Sequence, residues 1–71
     1  LYFKDTSFEE IIERLQSWYG VSIQVIGKPS EPIYYSGKYV NENLENVLHG
    51  IGFIMHFSFR LEKKNVVIEF R

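Results

Sequence analysis

The side chains best suited to chemistry are two histidines, His49 and His56, and the carboxylates Glu9, Glu10 and Glu13. Neither histidine has companions at metal-ligand spacing. His49 sits one residue off the apolar stripe of a helix and reads as an exposed helical histidine. His56 falls on the minority face of an expected strand, with Arg60 on the same face and Glu69 on the next strand, which reads as a surface cross-strand cluster. The three glutamates crowd one helix face. A catalytic carboxylate pair must oppose across a cleft, so a solvated face is the simpler reading. His49-Gly50-Ile51-Gly52 resembles part of a phosphate loop, but it lacks the lysine of G-x-x-x-x-G-K-[ST], and its glycines are placed to end a helix instead of opening one. No serine or threonine has a histidine base and an orienting acid at recognisable spacing. With no cysteine there is neither a disulfide framework nor a thiolate zinc site. These residues point to no enzyme, metal or cofactor.

Composition narrows the classes further. A chain of 71 residues buries only about 60% of the surface it exposes when unfolded, so its own core supplies a few kcal/mol. A hydrophobic content of 45% with 17% aromatic residues is ample for a packed core and argues against disorder. The net charge of −1 gives no basic footprint for nucleic acid or for an acidic membrane surface. No apolar run approaches the roughly 20 residues that span a bilayer. The chain opens abruptly in an apolar, strand-like segment, and residues 1–71 read as one domain excised from a longer protein whose targeting segments lie upstream.

The elements that must position these side chains start with Thr6 to Val25. Phe8, Ile11, Ile12, Leu15, Trp18 and Tyr19 fall at helical spacing and predict one broad apolar face. Thr6 and Ser7 offer capping hydroxyls, Glu9 or Glu10 can complete a capping box, and Gly20 can end the helix in the left-handed conformation. Val21, Ile23 and Val25 then alternate as a strand. Leu1–Lys4 reads as a short strand ahead of the helix, with Phe3 and Leu1 inward. Gly27–Pro32 is a loop.

In the second half, Ile33–Val40 alternates as a strand, with Ile33, Tyr35, Gly37 and Tyr39 on one side and Gly37 as a bulge or a point of close backbone approach. Asn41–Asn43 supplies caps for a second helix with the stripe Leu44, Val47, Leu48 and Ile51, which Gly50 and Gly52 shorten and end. Phe53, Met55, Phe57, Phe59 and Leu61 predict a long strand. Glu62–Asn65 is a tight turn with Asn65 able to accept positive φ. Val66, Ile68 and Phe70 face one side of a last strand, antiparallel to the one before it.

The halves echo each other. Phe3 to Ile12 aligns with Tyr39 to Leu48, and Gly20-Val21 with Gly52-Phe53. The fold class is therefore α+β: duplicated β-α-β units plus a C-terminal β-hairpin, the helices packed between or against small sheets. Tyr34, Ile54 and Val67 are apolar residues on otherwise polar faces. If they meet in space they form a docking patch, which makes them the candidate protein-interface residues.

Phe3-x-x-x-x-Phe8-Glu9-Glu10-Ile11-Ile12-Glu13-Arg14-Leu15, Trp18-Tyr19-Gly20-Val21, Tyr35-Ser36-Gly37-Lys38-Tyr39, Asn43-Leu44-Glu45-Asn46-Val47-Leu48 and the closing hairpin together resemble the C-terminal domain of FecR-type anti-sigma factors, in the version of the Bacteroidetes lineage. The resemblance covers nearly the whole chain. The Glu62–Asn65 turn departs from it in lacking a glycine, and the Gly27–Pro32 loop in carrying two prolines. It implies a periplasmic domain of a single-span inner-membrane protein, without catalytic residues. That domain would relay a signal from the signalling domain of a TonB-dependent outer-membrane transducer to an extracytoplasmic-function sigma factor. No nucleic-acid or direct membrane contact is expected of the domain, and weak self-association is allowed.

The resemblance also extends to the short N-terminal domain of secretins and TonB-dependent transducers. It implies one sheet from the strands that precede helices and a second from those that follow. An assembly module of a secretin or transporter N-terminal region is the alternative function, distinguished by what lies upstream. A small RNA-binding domain would need a basic face and a G-x-x-G loop between helices, and neither is present.

Overall fold

The computed structural model describes residues 1–71. The order is β1 (Tyr2–Ser7), α1 (Phe8–Tyr19), β2 (Ser22–Ile26), β3 (Tyr34–Lys38), α2 (Leu44–Met55), β4 (Phe57–Glu62) and β5 (Asn65–Phe70). β1 and β3 form a two-stranded antiparallel sheet. The other three strands form a sheet in the order β2-β5-β4, with β2 parallel and β4 antiparallel to β5. This is the sorting that the family resemblance implied: strands before helices in one sheet, strands after helices in the other. One core draws on all layers: Phe3 from β1, Phe8, Ile11 and Leu15 from α1, Val47, Leu48, Ile51 and Met55 from α2, and Phe57, Val66 and Ile68 from the larger sheet.

α1 forms as its spacing predicts. Ser7 is the N-cap, its Oγ accepting the Glu10 N–H at 3.3 Å, and Gly20 closes the helix at φ 65°. Thr6 does not cap. It is buried in β1, where its Oγ1 accepts the Lys4 N–H at 3.0 Å. Nor does Glu10 reach back to complete a box, because its carboxylate pairs with Arg14 one turn on. The apolar face is also narrower than the spacing suggested. Phe8, Ile11 and Leu15 are buried, whereas Trp18 stands 66% exposed. Ile12 and the final helix residue Tyr19 are half-buried against the core, so Trp18 stands at the flank of the covered stripe.

β1 is longer than expected, and the bulge falls on it rather than at Gly37. Phe3 pairs with Gly37 and Thr6 with Tyr35, so two residues, Lys4 and Asp5, stand opposite Ser36. Asp5 takes φ 46° there, and its N–H donates to Ser36 Oγ at 2.9 Å. The extra residue puts both Phe3 and Thr6 on the inner face, which strict alternation would separate.

The largest departure is α2. Gly50 and Gly52 do not end it. The helix continues to Met55, giving both helices 12 residues, and the expected strand from Phe53 begins only at Phe57. Met55 extends the stripe Leu44, Val47, Leu48, Ile51 at helical spacing, so the run Ile51 to Met55 satisfies both periods. Burial decides between them: Ile51 and Met55 are each 1% exposed as helix residues. His56 is the turning point instead of a strand residue. It takes the left-handed conformation at φ 65°, ψ 54°, and its N–H donates to Gly52 O at 2.8 Å. Histidine is among the residues that tolerate this region. Asn43 caps the other end, accepting the Asn46 N–H at 2.8 Å.

In the final hairpin Glu62 pairs with Asn65, which leaves a two-residue loop. The positive φ is at Lys63 (54°), not at Asn65. Positive φ at the first of two central positions is the II′ arrangement that suits a right-twisted hairpin.

Candidate docking surfaces

The residues best suited to chemistry are dispersed. His49 is exposed on α2, 3.9 Å from Glu45 and edge-on to Phe59 with ring centroids 5.0 Å apart. His56 is a helix cap. Arg60 is diagonal to Glu69 across the β4–β5 pair but makes no ion pair with it, and His56 lies outside the strand, so the expected His56, Arg60, Glu69 cluster does not form. Glu10 binds Arg14, whose guanidinium also donates to Tyr2 O at 2.7 Å and lies 5.4 Å from the Phe3 ring centroid. That arrangement ties α1 to β1 through an ion pair and a cation–π contact. No three His, Asp or Glu side chains gather in a way that could hold a metal.

The tyrosines form the one polar constellation. A β-carbon on Gly37 would lie 2.5 Å from the Tyr35 hydroxyl, so the Tyr35 ring lies along its own strand over the glycine. Its hydroxyl hydrogen-bonds that of Tyr39. The Tyr39 hydroxyl in turn lies beside Gly50 of α2, and Tyr19 donates to Glu42 O at 2.9 Å. The Tyr35-x-Gly37-x-Tyr39 motif is thus a brace between the small sheet and α2. Burial first, then the bond from Tyr35, holds the Tyr39 phenol far above its ordinary pKa; burial and then Glu42 raise that of Tyr19. Phenols held neutral in this way are neither bases nor nucleophiles near neutral pH. They serve packing.

What remains is surface. Tyr34, Ile54 and Val67 lie on three elements. Tyr34 is 65% exposed on β3, opposite Ser7. Ile54 is 51% exposed on α2, on a helix and not on the strand face from which it was chosen. Val67 is half-buried at the centre of the larger sheet, between Gln24 and Arg60. Three large exposed side chains were missed because their spacing read as inward: Trp18, Leu61 and Phe53, the last 79% exposed. Period alone cannot say where a neighbouring layer stops. Phe53, Leu61 and Phe59 line an open groove of about 520 Å³ between α2 and β4, with His49, Glu45 and Arg71 at its rim. A second hollow of about 260 Å³ lies between Trp18 and Val40. Apolar surface with no polar site beneath it suits the binding of another protein better than that of a small substrate.

The family described as FecR, C-terminal, matches residues 1–68, and the chain belongs to that family. Two crystal structures of a Parabacteroides distasonis ATCC 8503 protein described as an anti-sigma factor, at 1.65 Å and 2.50 Å resolution, superpose on it with TM-scores of 0.86 and 0.85 at 27% identity. Both cover 100% of this chain, which spans only 34% and 33% of theirs. No curated protein matches. No helix is long and apolar enough to cross a membrane.

Proposed function

We propose that residues 1–71 act as one non-catalytic docking domain of a longer periplasmic anti-sigma regulator, anchored in the inner membrane by a single span. The domain receives a signal from the signalling domain of a TonB-dependent outer-membrane transducer, and the rest of the chain passes it to an extracytoplasmic-function sigma factor. The observation that carries this reading is family membership over residues 1–68. It is supported by whole-domain similarity to the P. distasonis chain and by exposed aromatics that no catalytic constellation accompanies. The same similarity favours a regulator over an assembly module of a secretin, which shares the fold.

The test is capture from envelope extract with the folded domain as bait. Recovery of a TonB-dependent transducer is the expected result, and its absence with a correctly folded bait argues against the reading. Tyr34, Ile54 and Val67 remain candidate contacts within this proposal. Each changed to a polar residue should weaken capture with the circular-dichroism spectrum unchanged; loss of that spectrum would assign them to the core.

A further inference from the structure

The three-stranded sheet ends at β4, whose outer edge has no strand beside it. Its main-chain geometry follows from one bond: His56 O accepts the Arg71 N–H at 3.1 Å. Hydrogen-bonded and non-bonded pairs alternate along an antiparallel ladder. Ser58 with Glu69 and Arg60 with Val67 are therefore the bonded pairs, and Phe57, Phe59 and Leu61 turn their N–H and C=O groups away from β5. The Phe57 carbonyl is met by the Arg71 guanidinium at 3.3 Å. Those of Phe59 and Leu61 face outward, free to pair with another strand.

The side chains of the same residues supply the second half of the site. Phe57 is buried, Phe59 half-buried and Leu61 37% exposed, so cover from α2 fades along the strand. Phe53 projects from α2 into the same groove. Arg71 lines the groove beside Glu45 and His49, Arg60 lies on the opposite face of β4, and Lys63 and Lys64 form the turn beyond it. These four cations face three carboxylates around the strand, Glu45, Glu62 and Glu69, and the structure's ion pairs, Arg14 with Glu10 and His49 with Glu45, engage none of the four.

We propose that β4 is a docking edge for one extended segment of a partner protein, in which apolar residues alternate with acidic ones. The segment adds a strand beside Phe59 and Leu61. Its apolar side chains seat on Phe53, Phe59 and Leu61, and its carboxylates face Arg60 and the Lys63–Lys64 turn. A second copy of β4 is a poorer occupant. Antiparallel self-pairing of Phe59 with Leu61 of the second copy sets two Arg60 side chains opposite each other. Shifting the register to match Arg60 with Glu62 leaves only the strand end paired, and the opposite shift, Phe59 against Phe59, needs the Phe57 carbonyl that Arg71 already meets.

The proposal rests on reading the domain as a docking module, and two assays separate the two ideas. In the first, the protein is titrated with a synthetic peptide alternating valine with glutamate, and with its valine–lysine counterpart, while backbone amides are followed by NMR. The glutamate peptide should shift and protect Phe59 and Leu61, and the lysine peptide should bind at least about tenfold more weakly. Arg60→Glu and Phe53→Asp, both at exposed positions, should each weaken the glutamate peptide by about tenfold or more with the fold intact by circular dichroism.

Equal binding of both peptides, shifts confined to β2, or no binding overturns the proposal. So does a concentration-dependent dimer that protects Phe59 and Leu61 without peptide. In the second assay the same variants serve as bait for the transducer. Capture that Phe53→Asp and Arg60→Glu leave unchanged overturns the β4 edge and keeps the functional reading. Peptide binding at β4 with no transducer recovered keeps the edge and overturns the partner.

Discussion

Gly52 of α2 lies directly against Phe57, the first residue of β4: a β-carbon on Gly52 would stand 2.9 Å from both the ring and the carbonyl oxygen of Phe57. The chain leaves α2 through His56 and folds back at once, so the helix must pass its own successor strand at backbone distance. Only glycine permits that approach. It also explains why a residue that normally weakens a helix sits inside one.

Gly52→Ala should therefore destabilise the protein in spite of alanine's better helix propensity. Overpacking costs about 1–3 kcal/mol, against a propensity gain of about 1 kcal/mol. The contact includes a carbonyl oxygen, which a rotamer change does not relieve. A net loss of up to about 2 kcal/mol should appear as a Tm drop of several degrees, at roughly 4–8 °C per kcal/mol for a domain this size. Thermal denaturation of the variant checks it.

Gln16 is the next test. Its Oε1 accepts the Ile23 N–H at 2.8 Å while its carbonyl accepts the N–H of Gly20 at 2.9 Å. One residue thus holds the helix end and aims β2. Gln16→Ala should leave the Ile23 N–H without a partner at a cost of about 1–3 kcal/mol and speed hydrogen exchange at that amide. Gln16→Glu keeps the acceptor and should lose less, the residual loss arising from a negative charge near the helix C-terminus, worth about 0.3–1 kcal/mol. Equal losses for both variants would refute the role.

The tyrosine brace makes the protein sensitive to alkali. The Tyr39 phenol is held neutral in the fold, above its ordinary value of 10.0. In the unfolded chain it ionises near that ordinary value, so above it the unfolded state binds fewer protons and stability falls as pH rises. Below pH 10 the contribution is fully present and flat. Denaturant midpoints measured from neutral pH into this range should show the decline. Tyr39→Phe should reduce the slope and delete one high-pH step from the tyrosinate absorbance titration.

At the hairpin, Lys63 sits at φ 54° in a position where glycine is at ease. Lys63→Gly removes a left-handed penalty of about 1–2 kcal/mol and adds about 0.5–1 kcal/mol of unfolded-state entropy. A small stabilisation, on the order of 0.5–1 kcal/mol, is expected in urea denaturation, with the m-value unchanged. A destabilised variant would mean that the lysine side chain contributes more than its backbone costs.

Local pattern determined a good part of this protein. The caps Ser7, Gly20 and Asn43, the α1 stripe from Phe8 to Leu15, the Val66–Phe70 strand and its antiparallel partner all follow from spacing and end residues. The family resemblance, which the duplicated strand–helix–strand pattern fits, implied how strands divide between sheets. These features depend on neighbours a few residues away, so they are visible along the chain. Tertiary structure decided the rest. It extended α2 through two glycines, whose penalty of about 1 kcal/mol each is outweighed by burying Ile51 and Met55 at about 1.5–3 kcal/mol apiece. It set the bulge at Asp5, because Ser36 on the opposite strand accepts its N–H. It left Trp18, Phe53 and Leu61 bare and β4 open, because periodicity names the apolar face of an element while only its neighbours determine how far that face is covered.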